Sequence, residues 1–104
     1  MVTVEDAIIR RIKKQAQILP NGTLSVPSDY GGGALFLMVI GGWNYSQISI
    51  VMPNNGGTPI KKTLASYSEG STNFPVSANG SWGFTITNNT AYAVPCSVYI
   101  IPKT

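Results

Sequence analysis

From residue 20 onward, turn-forming residues break the chain at short, regular intervals. Pro20-Asn21-Gly22, Gly31-Gly32-Gly33, Gly41-Gly42, Pro53-Asn54-Asn55-Gly56-Gly57, Asn79-Gly80 and Asn88-Asn89-Thr90 are the punctuation marks. Glycine and asparagine accept left-handed backbone geometry and proline cannot continue a ladder, so such clusters end elements. The segments between them are short strands at a spacing of roughly 8–12 residues, the signature of a sandwich or barrel. Residues 23–26 form one. Residues 34–40 are continuously apolar and read as a strand covered on both faces. Residues 45–52 alternate, with Ile48, Ile50 and Met52 on one face, and residues 60–67 alternate weakly. After a polar loop at 68–73 come a short strand at 74–77 and a hairpin turn at Asn79-Gly80. Trp82, Phe84 and Ile86 then share one face, opposite Ser81, Gly83, Thr85 and Thr87, and the core is favoured for Trp82 over an exposed place at a rim. In the closing segment, 92–101, Tyr92, Val94, Cys96, Val98 and Ile100 are in phase, and Pro95 points to an edge strand or a bulge. The fold expected is all-β, an antiparallel β-sandwich of jelly-roll-like type with about seven strands.

Ahead of these strands, residues 2–17 carry a different pattern. Thr3 can cap a helix with Asp6 reaching back. Glu5 and Asp6 lie in its first turn and Arg10, Arg11, Lys13 and Lys14 toward its end, as a helix dipole favours. Val2, Ile9, Ile12, Ala16 and Leu19 follow a heptad pattern interrupted by Glu5, and Ile8 widens the stripe. The expected organisation is therefore a short N-terminal amphipathic helix within residues 1–20 and a β domain over 21–104. With 104 residues the chain suits one domain, whose core is thin enough that self-association would be a natural supplement. The stripe of Ile8, Ile9, Ile12, Ala16 and Leu19 must be covered, by the chain's own sheet or by copies of the helix bundled as a trimer. Arg10, Arg11, Lys13 and Lys14 read as a partner-contacting run or as the solvated face of the helix. Nucleic acid is disfavoured as the partner, because Glu5 and Asp6 offset the run and no aromatics interleave with it.

The inventory of reactive groups is short. Charged residues make up 11% of the chain, against about 25% in ordinary soluble domains. Histidine is absent, so the usual general base and the Ser–His and Cys–His nucleophile pairs cannot be built. Cys96 is the only cysteine; it excludes an intrachain disulfide and lies in an apolar run where an inert, buried thiol is expected. Of the four carboxylates, Asp29 and Glu69 alone could form a glycosidase pair, and both sit beside Gly or Ser in loops where a turn role accounts for them. No phosphate-binding glycine motif occurs. The expectation is a protein that is not an enzyme and needs no cofactor or metal. The sequons at Asn21, Asn44, Asn79 and Asn88 read as turn chemistry. Trp43, Tyr45 and Tyr67, set among Gly, Asn and Ser, are candidate platforms for stacking on a sugar ring. The apolar run at 34–40 is too short for the ~20 residues a bilayer span needs, and no signal peptide precedes the charged helix. Synthesis in a cytoplasm without membrane insertion is the expectation.

This arrangement, a helical segment up to Leu19 followed by a weakly charged stretch rich in Ser, Thr, Asn and Gly from Gly22 to Thr104, resembles the small trimeric structural proteins of tailed phages. These are head fibres, capsid decoration proteins and tail-appendage tips. The run Ser81-Trp82-Gly83-Phe84-Thr85-Ile86-Thr87-Asn88-Asn89-Thr90 and the residues 98–101 have the style of such domains. The resemblance implies a homotrimer located in a virion and attached through the N-terminal helix to a capsid or tail protein, with the β domain displayed. It assigns no functional residue. The alternative is a carbohydrate-binding or adhesion module whose exposed aromatics contact a surface glycan.

Overall fold

A computed structural model describes residues 12–27, 34–42, 45–67 and 73–101. Eight strands lie among them: β1 (Ile12–Ile18), β2 (Thr23–Val26), β3 (Leu35–Ile40), β4 (Gln47–Asn54), β5 (Gly57–Ser66), β6 (Val76–Asn79), β7 (Gly83–Thr87) and β8 (Val94–Ile101). They form two antiparallel sheets, one of five strands in the order β1-β8-β3-β4-β5 and one of three in the order β2-β7-β6. The all-β, antiparallel expectation therefore holds.

The two sheets share one core. Leu24, Val26, Phe84 and Ile86 from the smaller sheet meet Ile18, Phe36, Met38, Ile40, Val51, Val94, Cys96, Val98 and Ile100 from the larger. Phe36 and Phe84 pack edge to face across the gap, with ring centroids 5.1 Å apart. Such a pair contributes about 0.5–1.5 kcal/mol beyond its buried area. Lys61 on β5 ties the margin by donating from Nζ to the Phe74 carbonyl at 2.7 Å.

The helix expected over residues 2–17 is corrected where the structure describes it. Ile12–Ile18 is a strand, paired with β8 from Ile12↔Tyr99 to Ile18↔Val94. A seven-residue segment fits either period, and the ladder offered by β8 outweighs helical propensity. Residues 2–11, including Ile8, Ile9, Arg10 and Arg11, lie outside the described residues.

Four finer expectations also change. β3 is buried on one face only: Phe36, Met38 and Ile40 point inward, while Leu35, Leu37 and Val39 are half-buried on the other side. Trp82 is half-buried in the loop before β7 rather than on its core face, because Asn79↔Gly83 closes a three-residue hairpin around it. Tyr92 precedes β8 and is exposed. Pro95 sits in a central strand, not at an edge. Its carbonyl accepts from Gly41 N at 3.1 Å, and the β3–β8 ladder stops at Ile40↔Cys96, so the missing N–H falls beyond the ladder.

Candidate functional site

The strand directions give the molecule two unlike ends. β1 starts and β8 finishes at one end, where the β4–β5 and β6–β7 hairpins also lie, joined by Gly56 N donating to Ser81 O at 3.1 Å. The opposite end collects the connections β1–β2, β3–β4, β5–β6 and β7–β8. Among the described residues, these four connections carry no charged side chain.

Three tyrosines gather there. Tyr45 is half-buried, with its ring 6.4 Å from that of Phe74 and 6.2 Å from that of Tyr92. Tyr92 is 64% exposed and Tyr67 76% exposed. Tyr67 N donates to Ser46 O at 3.1 Å, which holds the start of the β5–β6 connection against the β3–β4 loop. Beside Tyr67 opens a cleft of about 410 Å³ lined by Val39, Ile48, Ala65, Ser46 and Gln47, with Tyr45 and Tyr92 outside it. Of the three proposed stacking residues, Tyr67 and Tyr45 thus lie at the same end, Tyr67 free to meet a ligand and Tyr45 engaged in packing. Trp43 lies outside the described residues.

Asn88 holds this end together. It is fully buried, and Nδ2 donates to the carbonyls of Ile18 (3.0 Å), Leu19 (3.2 Å) and Tyr92 (2.8 Å), while Oδ1 accepts from Thr90 N and Thr90 Oγ1. Its backbone N–H donates to Gly22 O, and its carbonyl accepts from Asn21 N. One side chain therefore satisfies the turn after β1 and the loop before β8. Burial also removes Asn88 as a glycosylation acceptor. The sequence motif gave the turn but not this role, since nothing in Asn-Asn-Thr marks which asparagine is internal. Asn21 takes the left-handed conformation expected of it, at φ 61°.

A second surface was not anticipated. β4 buries Gln47 and Ser49 on its core side and turns Ile48, Ile50 and Met52 outward. Inside, Ser49 Oγ bonds Gln47 Oε1 at 3.2 Å, with Thr63 Oγ1 at 3.4 Å. Register carries the outward set across the sheet. Val39 stands beside Ile48 and Ile48 beside Ala65; Leu37 lies between Tyr99 and Ile50, and Ile50 beside Lys62; Leu35 pairs with Ile101, and Met52 with Ile60. The face pointing away from the smaller sheet is therefore apolar over β3, β4 and the ends of β5 and β8, with Ser97, Gln15 and Gln17 toward its β1 margin and Lys62 as its one cation among the described residues. The signal was the alternation in residues 45–52, read for period but not for which phase would face in.

The expected anchor residues are distributed differently. Ile12 and Lys13 are strand residues, Lys14 and Ala16 are exposed on β1, and Leu19 is 64% exposed at the loop-rich end. Cys96 is buried, and burial pushes its thiol up to about 12. Burial likewise lowers the Lys61 ammonium below its ordinary value. Asp29 and Glu69 lie outside the described residues. The chain leaves β2 toward the first at one end of the molecule and leaves β5 toward the second at the other. No protein-family model, curated protein or solved structure matches this chain.

Proposed function

We propose that the chain is a non-enzymatic structural subunit of a virion, of the head-fibre, capsid-decoration or tail-appendage kind. It acts as a homotrimer fixed at its N-terminal end to a capsid or tail protein. The observation that carries this reading is the polarity of the molecule. The cations Lys13 and Lys14 sit at the start of β1, at the end where β8 finishes. The far end offers loops that carry no charge among the described residues, with Tyr67, Tyr92 and Leu19 exposed. One end suits attachment and the other contact with something outside, a surface glycan among the candidates. The pairings β1–β8, β8–β3 and β2–β7 support a jelly-roll-related sandwich in which β4 and β5 extend the larger sheet.

Sedimentation equilibrium of the full chain at micromolar concentration tests the assembly. A species of three times the monomer mass is expected, and a single monomeric species overturns the reading. Mass spectrometry of purified particles, in which the chain should appear in a fixed ratio to a capsid or tail protein, tests the location.

A further inference from the structure

We infer that the apolar outer face of the five-stranded sheet, centred on Leu37, Ile50 and Tyr99, is the surface on which copies of this chain meet. The inference rests on the self-assembling reading above and assigns its interface to the sheet, where the sequence pattern had pointed to a helix.

The phase of β4 is the first argument. A strand with one wet face places its polar residues outward. β4 does the reverse, keeping Gln47 (4% exposed) and Ser49 (0%) inside and Ile48, Ile50 and Met52 outside. The inner polar pair is hydrogen-bonded, so it adds little cost, whereas the outer set gains only if another layer covers it. β3 repeats the pattern with Leu35, Leu37 and Val39.

Area is the second. Five strands about 4.8 Å apart and six residues at about 3.4 Å each give a face of roughly 24 by 20 Å. Turned toward a shared threefold axis, three such faces together bury up to about 1,400 Å², above the roughly 1,000 Å² that a specific interface needs.

Edge-to-edge pairing is the alternative, and both edge strands of the larger sheet oppose it. β5 carries Lys61, Lys62 and Pro59, and a register irregularity opposite Ile48/Ser49 leaves Leu64 unpaired; β1 carries Lys14 and an irregularity near Ile12. Charges, proline and bulges are the devices that keep an edge strand from accepting another chain. The edges of the larger sheet are guarded, and no third layer of strands covers its outer face among the described residues, so the other copies are received face-on. Lys62 lies at the β5 margin of that face, where its ammonium can stay in water while the centre is covered.

The test is Ile50→Lys in the full chain, read by sedimentation equilibrium together with circular dichroism and protection of Cys96 from a thiol reagent. Ile50 is half-buried on the outer side, so a lysine there is compatible with the monomer fold. The expected result is a folded monomer in place of the oligomer. Ile50→Thr, milder and still β-branched, should weaken association by at least about tenfold and guards against a folding failure of the lysine variant. An unchanged oligomer in both variants overturns the inference and leaves self-assembly standing. A monomeric wild-type chain overturns both, and Ile50→Cys then separates the remaining occupants. An unreactive thiol at position 50 would show the face covered by the chain's own residues 1–11, and a reactive one would leave it to a different protein.

Discussion

Asn88 and Cys96 show how much a single buried group can fix. Asn88 supplies one amide to three carbonyls from two separate turns. Asn88→Asp keeps the shape but replaces that donor with an acceptor facing the same carbonyls. Leaving several buried groups unpaired costs about 1–3 kcal/mol each, so this variant should lose roughly 3 kcal/mol or more in urea unfolding. Asn21→Ser, on the exposed turn nearby, should lose less than half as much. Cys96 sets a pH limit. Its folded pKa is raised from 9.0 to about 12. The folded state therefore holds its proton where the unfolded state has lost it, and the associated stability is present below pH 9 and declines as pH rises toward 12. Lys61 has the opposite sign: its pKa is lowered from 10.5, so its burial weighs against folding at neutral pH and is relieved as pH approaches that value. The Cys96 contribution is isolated by comparing wild type with Cys96→Ala. Their unfolding free energies should differ by a constant below pH 9 and converge above it, and a constant gap up to pH 11 would refute the assignment.

Among the elements, β7 is the most constrained by its neighbours. A Cβ built on Gly83 would lie 2.5 Å from Val26 O and 2.6 Å from Asn79 O, both backbone atoms of the flanking strands. No side chain can swing aside to admit a methyl group. Gly83→Ala should therefore destabilise by about 1–3 kcal/mol through strand displacement. Gly41→Ala, whose Cβ would meet only Pro95 Cγ at 3.9 Å, should fall within about 0.5 kcal/mol of wild type by thermal melting. The strands themselves were legible in the sequence wherever turn residues bracketed them. β2, β3, β4, β5, β7 and β8 all fall on segments read as strands, and β6 begins inside one. β1 was not legible, because Ile12-Lys13-Lys14-Gln15-Ala16-Gln17-Ile18 satisfies both a helical stripe and an alternating face. Only the presence of β8 alongside decides between them, and pairing at separations of 76 to 87 residues leaves no local mark.

At the scale of the whole molecule, the sequence conveyed class better than layout. The alternating apolar residues pointed to about seven strands where the structure has eight, and did not show which side of each would be inner. For β8 the larger, β-branched phase of Val94, Val98 and Ile100 is the core, and the reading agrees with the structure. For β4 the more hydrophobic phase is outside, and composition alone misassigns it. The candidate stacking residues were found only as a neighbourhood. Tyr45 and Tyr67 do lie at one end, but neither Tyr92 nor the Asn88 network that holds that end could be read from residue type.

The antiparallel β1–β8 pair, with the chain entering and leaving at the same end, also decides how this protein would bear a load. Pulled apart by those two ends, the pair would unzip, its hydrogen bonds failing one after another. Held at that end and tugged from the loops opposite, the strands would be stressed along their length, perpendicular to their hydrogen bonds, so that the whole ladder resists together. An appendage that touches the outside through its far loops would be strained in this second, stronger direction.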